Sequence, residues 1–310
     1  MTWQKILFTA LLIVCFFLSP PVALILGLIA AMTFGNPFPA QTKKATKYLL
    51  QISVVLLGFG MNLTAVVKAG KDGIAFTIAS IFGTLILGYV VGKLLKNNGK
   101  TSTLISAGTA ICGGSAIAAV APAINADAEE TSVSLGTIFI LNAIALIVFP
   151  LVGHQLNLTE NQFGVWAAIA IHDTSSVVGA ATKYGGDALA IATTVKLARA
   201  LWIAPVALFY SYLYRDKISG KKFKAAIPWF IFLFLAATAF RTYAPASVVP
   251  SLFESLVNLA KAGLTVTLFL IGASLSRETL KKVGFKPLLQ GVILWIVISI
   301  VSLWAVWEIL

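Results

Sequence analysis

The stretch Gly108-Thr109-Ala110-Ile111-Cys112-Gly113-Gly114-Ser115-Ala116-Ile117-Ala118 lies inside an apolar segment, 103–124, that is long enough to cross a membrane. It does not read as one helix. Adjacent glycines lose the most backbone freedom on ordering and are poor helix formers. Ser115, just after them, has an N-cap side chain and predicts the start of a new half-helix. In lipid, unwound backbone survives only where it is buried in protein or lines a water-filled cavity. Close packing through small residues accounts for isolated glycines, but Cys-Gly-Gly-Ser in a row exceeds what packing needs. We read the stretch as a functional break.

A second break is Ile171-His172-Asp173-Thr174-Ser175-Ser176-Val177-Val178-Gly179-Ala180, an ionisable pair and three hydroxyls between the apolar halves Phe163–Ala170 and Val177–Ala181. Asp, Ser and Thr favour N-caps, so a half-helix is expected to begin here. A carboxylate at the bilayer centre costs at least about 2.5–3.5 kcal/mol and marks a site or a buried partner. A surface loop is the plain alternative, and the short apolar flanks argue against it. The next segment, 187–213, carries Lys196 and Arg199 deep in its apolar run. A spacing of three puts both on one helical face. Snorkelling explains cations near helix ends, whereas these lie a third to half of the way along. They are expected to face a cavity and to meet an anion: Asp173, a substrate, or both.

Around these breaks the 310-residue chain is 59% hydrophobic and 11% charged. Globular proteins carry roughly 45–50% apolar and about 25% charged residues. A water-soluble enzyme and a disordered chain are both excluded. Apolar segments run at 6–18, 21–35, 45–61, 74–95, 103–124, 131–152, 162–182, 187–213, 226–243, 255–275 and 287–309. The expected fold is therefore an all-α polytopic membrane protein of about eleven transmembrane elements, some broken or re-entrant, in a single domain over 1–310. A signal peptide over 1–23 would need a small-residue cleavage site after its apolar run. None is clear, so a retained helix is expected.

Lys and Arg number 23 against 11 Asp and Glu, a net charge of +12. With the N-terminus inside, 16 of them fall in inner segments: Lys5, Lys43, Lys44, Lys47, Lys93, Lys96, Lys100, Arg215, Lys217, Lys221, Lys222, Lys224, Arg277, Lys281, Lys282 and Lys286. Only Lys68, Lys71, Lys183 and Arg241 fall outside, and Lys196, Arg199 and Lys261 lie within spans. This bias orients a multi-pass protein with a cytoplasmic N-terminus and removes the case for nucleic acid. Two cysteines, Cys15 and Cys112, and two histidines give no disulfide framework or metal site, and no phosphate-binding loop is present. No cofactor is expected. Trp3, Trp304 and Trp307 suit interfacial belts, and Asn142 suits a helix–helix hydrogen bond. The side of the acidic loop Asp127, Glu129 and Glu130 is open: 125–130 and 153–161 hold no Lys or Arg, so charge does not decide whether 103–124 and 162–182 cross or re-enter.

Two echoes suggest internal repetition. A shift of 60 places Ser115 on Ser175, Ala121 on Ala181 and Asp127 on Asp187. Leu57-Gly58-Phe59-Gly60-Met61-Asn62-Leu63 echoes Leu270-Ile271-Gly272-Ala273-Ser274-Leu275 in oppositely oriented spans, as inverted repeats of about 20–152 and 162–309 require.

Half-helix N-termini with Lys196 and Arg199 would hold a small oxyanion at mid-membrane. The expected substrate-binding residues are Cys112, Gly113, Gly114, Ser115, Thr174, Ser175, Ser176, Lys196 and Arg199, with His172 or Asp173 carrying a coupling ion. Broken helices meeting at the midplane indicate a secondary transporter working by alternating access. The alternatives are a cation/proton antiporter using Asp173 and, less favoured, an intramembrane enzyme with Cys112 as nucleophile and His172 as base. Residues 108–119, Gly60–Leu63, the segment from His172, and Val195–Arg199 followed by Ala204-Pro205 resemble the YeiH-type sulfate-exporter family. The resemblance covers nearly the whole chain. It implies a bacterial inner-membrane protein of the sodium–proton antiporter and bile-acid symporter type, with five-plus-five inverted helices and 103–124 paired with 255–275. Asp173 stands where the resemblance implies Glu, which keeps the charge and shortens the reach. Expected partners are a small inorganic anion such as sulfate, coupling H+ or Na+, membrane lipid and a second copy of the chain in a homodimer, with the oligomeric state left open by the sequence.

Overall fold

The structure, a computed structural model, describes residues 3–61, 63–214, 229–244, 250–274 and 283–309. Helices α1 (Trp3–Val14), α2 (Pro20–Thr33), α3 (Pro39–Leu57) and α4 (Leu63–Leu94) come first. Next come α5 (Gly99–Ala110), α6 (Gly114–Ala123), α7 (Ala128–Gln155), α8 (Glu160–Ala170), α9 (Thr174–Tyr184), α10 (Gly186–Ala200) and α11 (Ile203–Leu213). The last are α12 (Trp229–Tyr243), α13 (Pro250–Ser274) and α14 (Phe285–Ile309). No strand occurs among the described residues. Among the described residues, five stretches are long and apolar enough to cross a membrane: Phe76–Leu94, Glu129–Gln155, Gly186–Leu213, Ser251–Ser274 and Phe285–Ile309.

Both expected breaks are present, at 111–113 and 171–173. The cap of the first differs from expectation, and the cap of the second is one of the residues expected. Gly113, at φ +65°, is the N-cap of α6, and Ser115 is the second residue inside the helix. A positive φ suits glycine, which has no Cβ to clash. Asp173 is the N-cap of α9, so Thr174 and Ser175 lie within the first turn.

Each broken segment folds back on itself. Lys100 Nζ donates to the Asn125 carbonyl at 2.8 Å and lies 3.8 Å from Glu130 Oε2. The start of α5, the end of α6 and the start of α7 thus share one end of the molecule. At the other end of α7, His154 stacks on Tyr184 with ring centroids 4.3 Å apart. Tyr184 Oη donates to the Leu158 carbonyl at 2.7 Å, and its ring stacks on Phe163. Glu160 Oε2 accepts from the N–H groups of Asp187 and Ala188 at 2.8 and 3.1 Å. The start of α8, the end of α9 and the start of α10 therefore share that opposite end. Segments 103–124 and 162–182 are helical hairpins that turn back inside the protein, one from each end of α7.

The acidic loop is part of this design. Asp127 and Glu130 form a capping box on α7, with Asp127 Oδ1 accepting from Glu130 N at 2.7 Å and Glu130 Oε2 accepting from Asp127 N at 2.8 Å. Such reciprocal bonds satisfy two orphan donors at a helix start. The shift of 60 also has a structural counterpart, since the second half of each hairpin begins at Gly114 and Thr174. The other echo has none among the described residues. α3 ends in a 3₁₀ turn at Gly58–Gly60, while α13 runs on through Gly272. Asn62 and Leu275 lie outside the described residues, as does the basic run Arg215–Lys224.

α2, α3, α12 and α13 pack as one group beside the hairpins, joined to them chiefly through α13 and α9. A Cβ at Gly27 would overlap the Phe269 carbonyl, and one at Gly272 the Leu24 carbonyl. Small residues here let two backbones touch, the usual means of tight helix association in lipid.

The hairpin topology predicts which face each loop reaches. A cysteine at Asn125 should react with a membrane-impermeant thiol reagent from the same side as one at Lys96, and a cysteine at Asn157 only from the opposite side. A continuous crossing of 103–124 would put the Asn125 and Lys96 positions on opposite sides.

Candidate functional site

The two hairpin tips meet backbone to backbone. A Cβ at Gly113 would lie 3.4 Å from the His172 carbonyl carbon and oxygen. Asn142, in mid-α7, fastens the second tip, its Oδ1 accepting from the N–H groups of His172 and Asp173 at 3.1 and 3.2 Å. Its role is more specific than a general helix–helix bond. Four half-helix ends thus converge inside the protein: the C-termini of α5 and α8 and the N-termini of α6 and α9.

Such ends carry unpaired backbone groups and partial charge. α10 passes both tips and supplies the cations for both C-termini. Lys196 Nζ donates to the carbonyls of Ala168 and Ile171 at 3.2 and 2.7 Å. Arg199 Nη2 donates to the Ala110 carbonyl, and Nη1 donates to Ser80 Oγ at 2.7 Å. Both side chains are fully buried. At the N-terminus of α9, Asp173 Oδ2 accepts from Ser175 N at 3.1 Å, from Ser176 N at 3.2 Å and from Ser175 Oγ. The carboxylate therefore occupies the donors that the sequence offered to a substrate at Ser175 and Ser176. Three of the four ends are matched by a charged side chain of complementary sign.

The fourth end is different. The N-terminus of α6 has glycine as its cap and no side-chain cap bond. Gly114 is half-buried and Ser115 is exposed, while Cys112 and Gly113 are buried. Thr174 and Ser176 are buried in the first turn of α9. Lys196, Arg199 and His172 lie close enough to interact electrostatically. His172 is fully buried and neither ring nitrogen has a hydrogen-bond partner. It therefore makes no hydrogen bond to the Cys112 thiol. Thr109 Oγ1, Thr193 Oγ1 and Asn142 Nδ2 are likewise buried without partners.

Sequence reasoning found the two tips and the two cations. It missed Ser80 and the anchoring of Asn142, because neither has a local pattern to mark it. Two cavities lie at opposite ends of the hairpin pair. One, of about 420 Å3, is lined by Lys93, Asn97, Ser102, Ser106 and Tyr210. The other, of about 250 Å3, lies between α9 and α13.

Helices of this length and apolarity, with a polar meeting point of re-entrant hairpins buried among them, define an all-helical membrane protein. The sequence model of the family described as conserved hypothetical protein 698 matches residues 11–291, and the chain belongs to that family. It is 56% identical over 286 residues to a UPF0324 membrane protein of Bacteroides thetaiotaomicron, covering 92% of this chain and 85% of the relative. It is 54% identical over 287 residues to one of Porphyromonas gingivalis, covering 92% and 86%. A Bdellovibrio bacteriovorus relative of the same description is 51% identical over 306 residues, covering 97% and 94%. Those names state a membrane protein and no substrate. No solved structure matches the chain.

The caps set the order of sensitivity. Asp173→Ala should lower stability by about 1 kcal/mol, as loss of an N-cap does, and Asp173→Asn by less because Asn also caps. Lys196→Met leaves two buried carbonyls unsatisfied and should cost more, about 1–3 kcal/mol per orphaned group. Thermal unfolding in one detergent ranks the three, and Asp173→Asn falling below Lys196→Met would contradict the assignment.

Proposed function

We propose that this protein is a secondary active transporter of a small inorganic oxyanion, sulfate or one like it, bound at the hairpin tips and moved by alternating access. The observation that carries the proposal is the unmatched N-terminus of α6. Lys196, Arg199 and Asp173 leave a net positive charge at the tips, and Gly114 and Ser115 offer backbone N–H groups with no acidic cap. A helix N-terminus so placed attracts an anion through its donors and its dipole. Buried polar atoms without partners at Thr109 and His172 agree with a site that accepts water or ligand. Asp173, the one carboxylate near the tips among the described residues, is already engaged, which favours an anion over a metal ion and over the cation/proton antiporter reading. Coupling to H+ or Na+ through His172 or Asp173 belongs to the same proposal.

The topology that fits is nine crossings and two re-entrant hairpins. Replacing two crossings by two hairpins leaves every Lys-rich loop on the side that the charge bias requires, with the N-terminus cytoplasmic in a bacterial inner membrane. Hairpin followed by long helix occurs twice, at 99–155 and 160–213, entering from opposite ends. We read these as the inverted pair, a closer one than 20–152 with 162–309. Alternating access is then a movement of the hairpin group against the α2–α3–α12–α13 group.

Purified protein in liposomes should exchange radiolabelled sulfate. Ser115→Asp places a carboxylate at the second position of α6, where it favours the helix by about 0.3–1 kcal/mol. The variant should fold at least as stably and lose sulfate flux tenfold or more. Unchanged flux in Ser115→Asp, or no flux of sulfate, sulfite or phosphate in the unsubstituted protein, would overturn the reading.

A further inference from the structure

The cavity between α9 and α13 contains a cation that the hairpin tips do not use. Lys261 is the twelfth residue of the 25-residue helix α13. At 1.5 Å per residue that places it roughly 17 Å along the helix, near its middle. It is exposed to the cavity side of the chain and forms no ion pair among the described residues. Asn258 and Thr265 line the cavity with it, at positions that share one helical face, and Gly179 and Thr182 of α9 stand opposite.

The donor inventory decides the ligand's sign. Thr182 Oγ1 donates to the Val178 carbonyl at 2.7 Å, and Thr265 Oγ1 donates to the Lys261 carbonyl at 3.0 Å. The donors left to the cavity are the Lys261 ammonium and the Asn258 amide, and no acidic side chain lines it. A lysine at mid-helix depth is costly in an apolar surround and marks a pathway or a partner. The cavity's volume of about 250 Å3 exceeds a small anion, and each accompanying water needs about 30 Å3.

We infer that this cavity is a second anion site, a hydrated station for a small oxyanion held by Lys261 and Asn258. α9 leads from it back to Asp173 and the hairpin tips. Its place on the substrate's path rests on the transporter reading, while the site itself stands on the cavity and its donors.

The test reads local electrostatics and does not need transport. Thr182→Cys puts a thiol on the cavity wall with Lys261 intact. Cys15 and Cys112 are both buried, so the unsubstituted chain serves as the blank. An anionic thiosulfonate reagent should label Thr182→Cys at least tenfold faster than its cationic counterpart. Millimolar sulfate should slow that labelling, and adding Lys261→Gln should bring the ratio towards one and abolish the protection. Equal rates for the two reagents, or no sulfate protection with Lys261 present, would overturn the inference. If labelling behaves as expected and liposomes show no flux, the transporter reading fails and the anion site stands. If flux is present and falls in Ser115→Asp but is unchanged in Lys261→Gln, the site is not a station on the path.

Discussion

The structure depends on satisfying four helix ends away from water. A helix that stops inside the membrane exposes carbonyls or N–H groups that lipid cannot bond, at several kcal/mol each if left alone. Lys196 bonded to the Ala168 and Ile171 carbonyls, and Arg199 bonded to the Ala110 carbonyl, remove that cost at both C-termini. Asp173 removes it at one N-terminus. One helix, α10, carries both cations three residues apart, so it ties the two tips together from one side, as Asn142 of α7 holds the second tip from another.

The arrangement also explains why the buried charges are tolerated. A lone ammonium or guanidinium in an apolar interior is strongly disfavoured, but one that donates to several carbonyls at a helix C-terminus meets both hydrogen-bond acceptors and a negative dipole end. The cations and the broken helices therefore stabilise each other. What remains unmatched is the N-terminus of α6. Functional sites tend to lie where local rules are left incomplete. Here the incomplete element is a half-helix with Ser115 exposed in its first turn, next to a tip where every other end is closed.

The alternating access proposed above would require a rigid group, a second group and a contact between them that can change. The glycines at 27 and 272 bind α2 tightly to α13. The hairpins are bound tightly to α7 and α10. Between the groups lies the cavity with Lys261, so the contact that the proposed mechanism would change is also the one with room in it.

Much was legible in the sequence alone. The apolar segments, the positions of both breaks and the depth of Lys196 and Arg199 follow from residue type and spacing, because helix length and the cost of charge in lipid are local constraints. Even the pairing of Ser115 with Ser175 left a trace at a shift of 60. The tertiary structure decided three things. The hairpins turn back because Lys100 reaches Asn125 and Tyr184 reaches Leu158, contacts between residues 25 and 26 positions apart. The cations bind carbonyls at the C-termini of α5 and α8, partners that the spacing of Lys196 and Arg199 did not name beside Asp173 or a substrate. Asp173 closes its own helix, which leaves the α6 end as the open one. Charge and hydropathy state how deep a side chain lies in the membrane, but only the folded chain determines which backbone group it meets there.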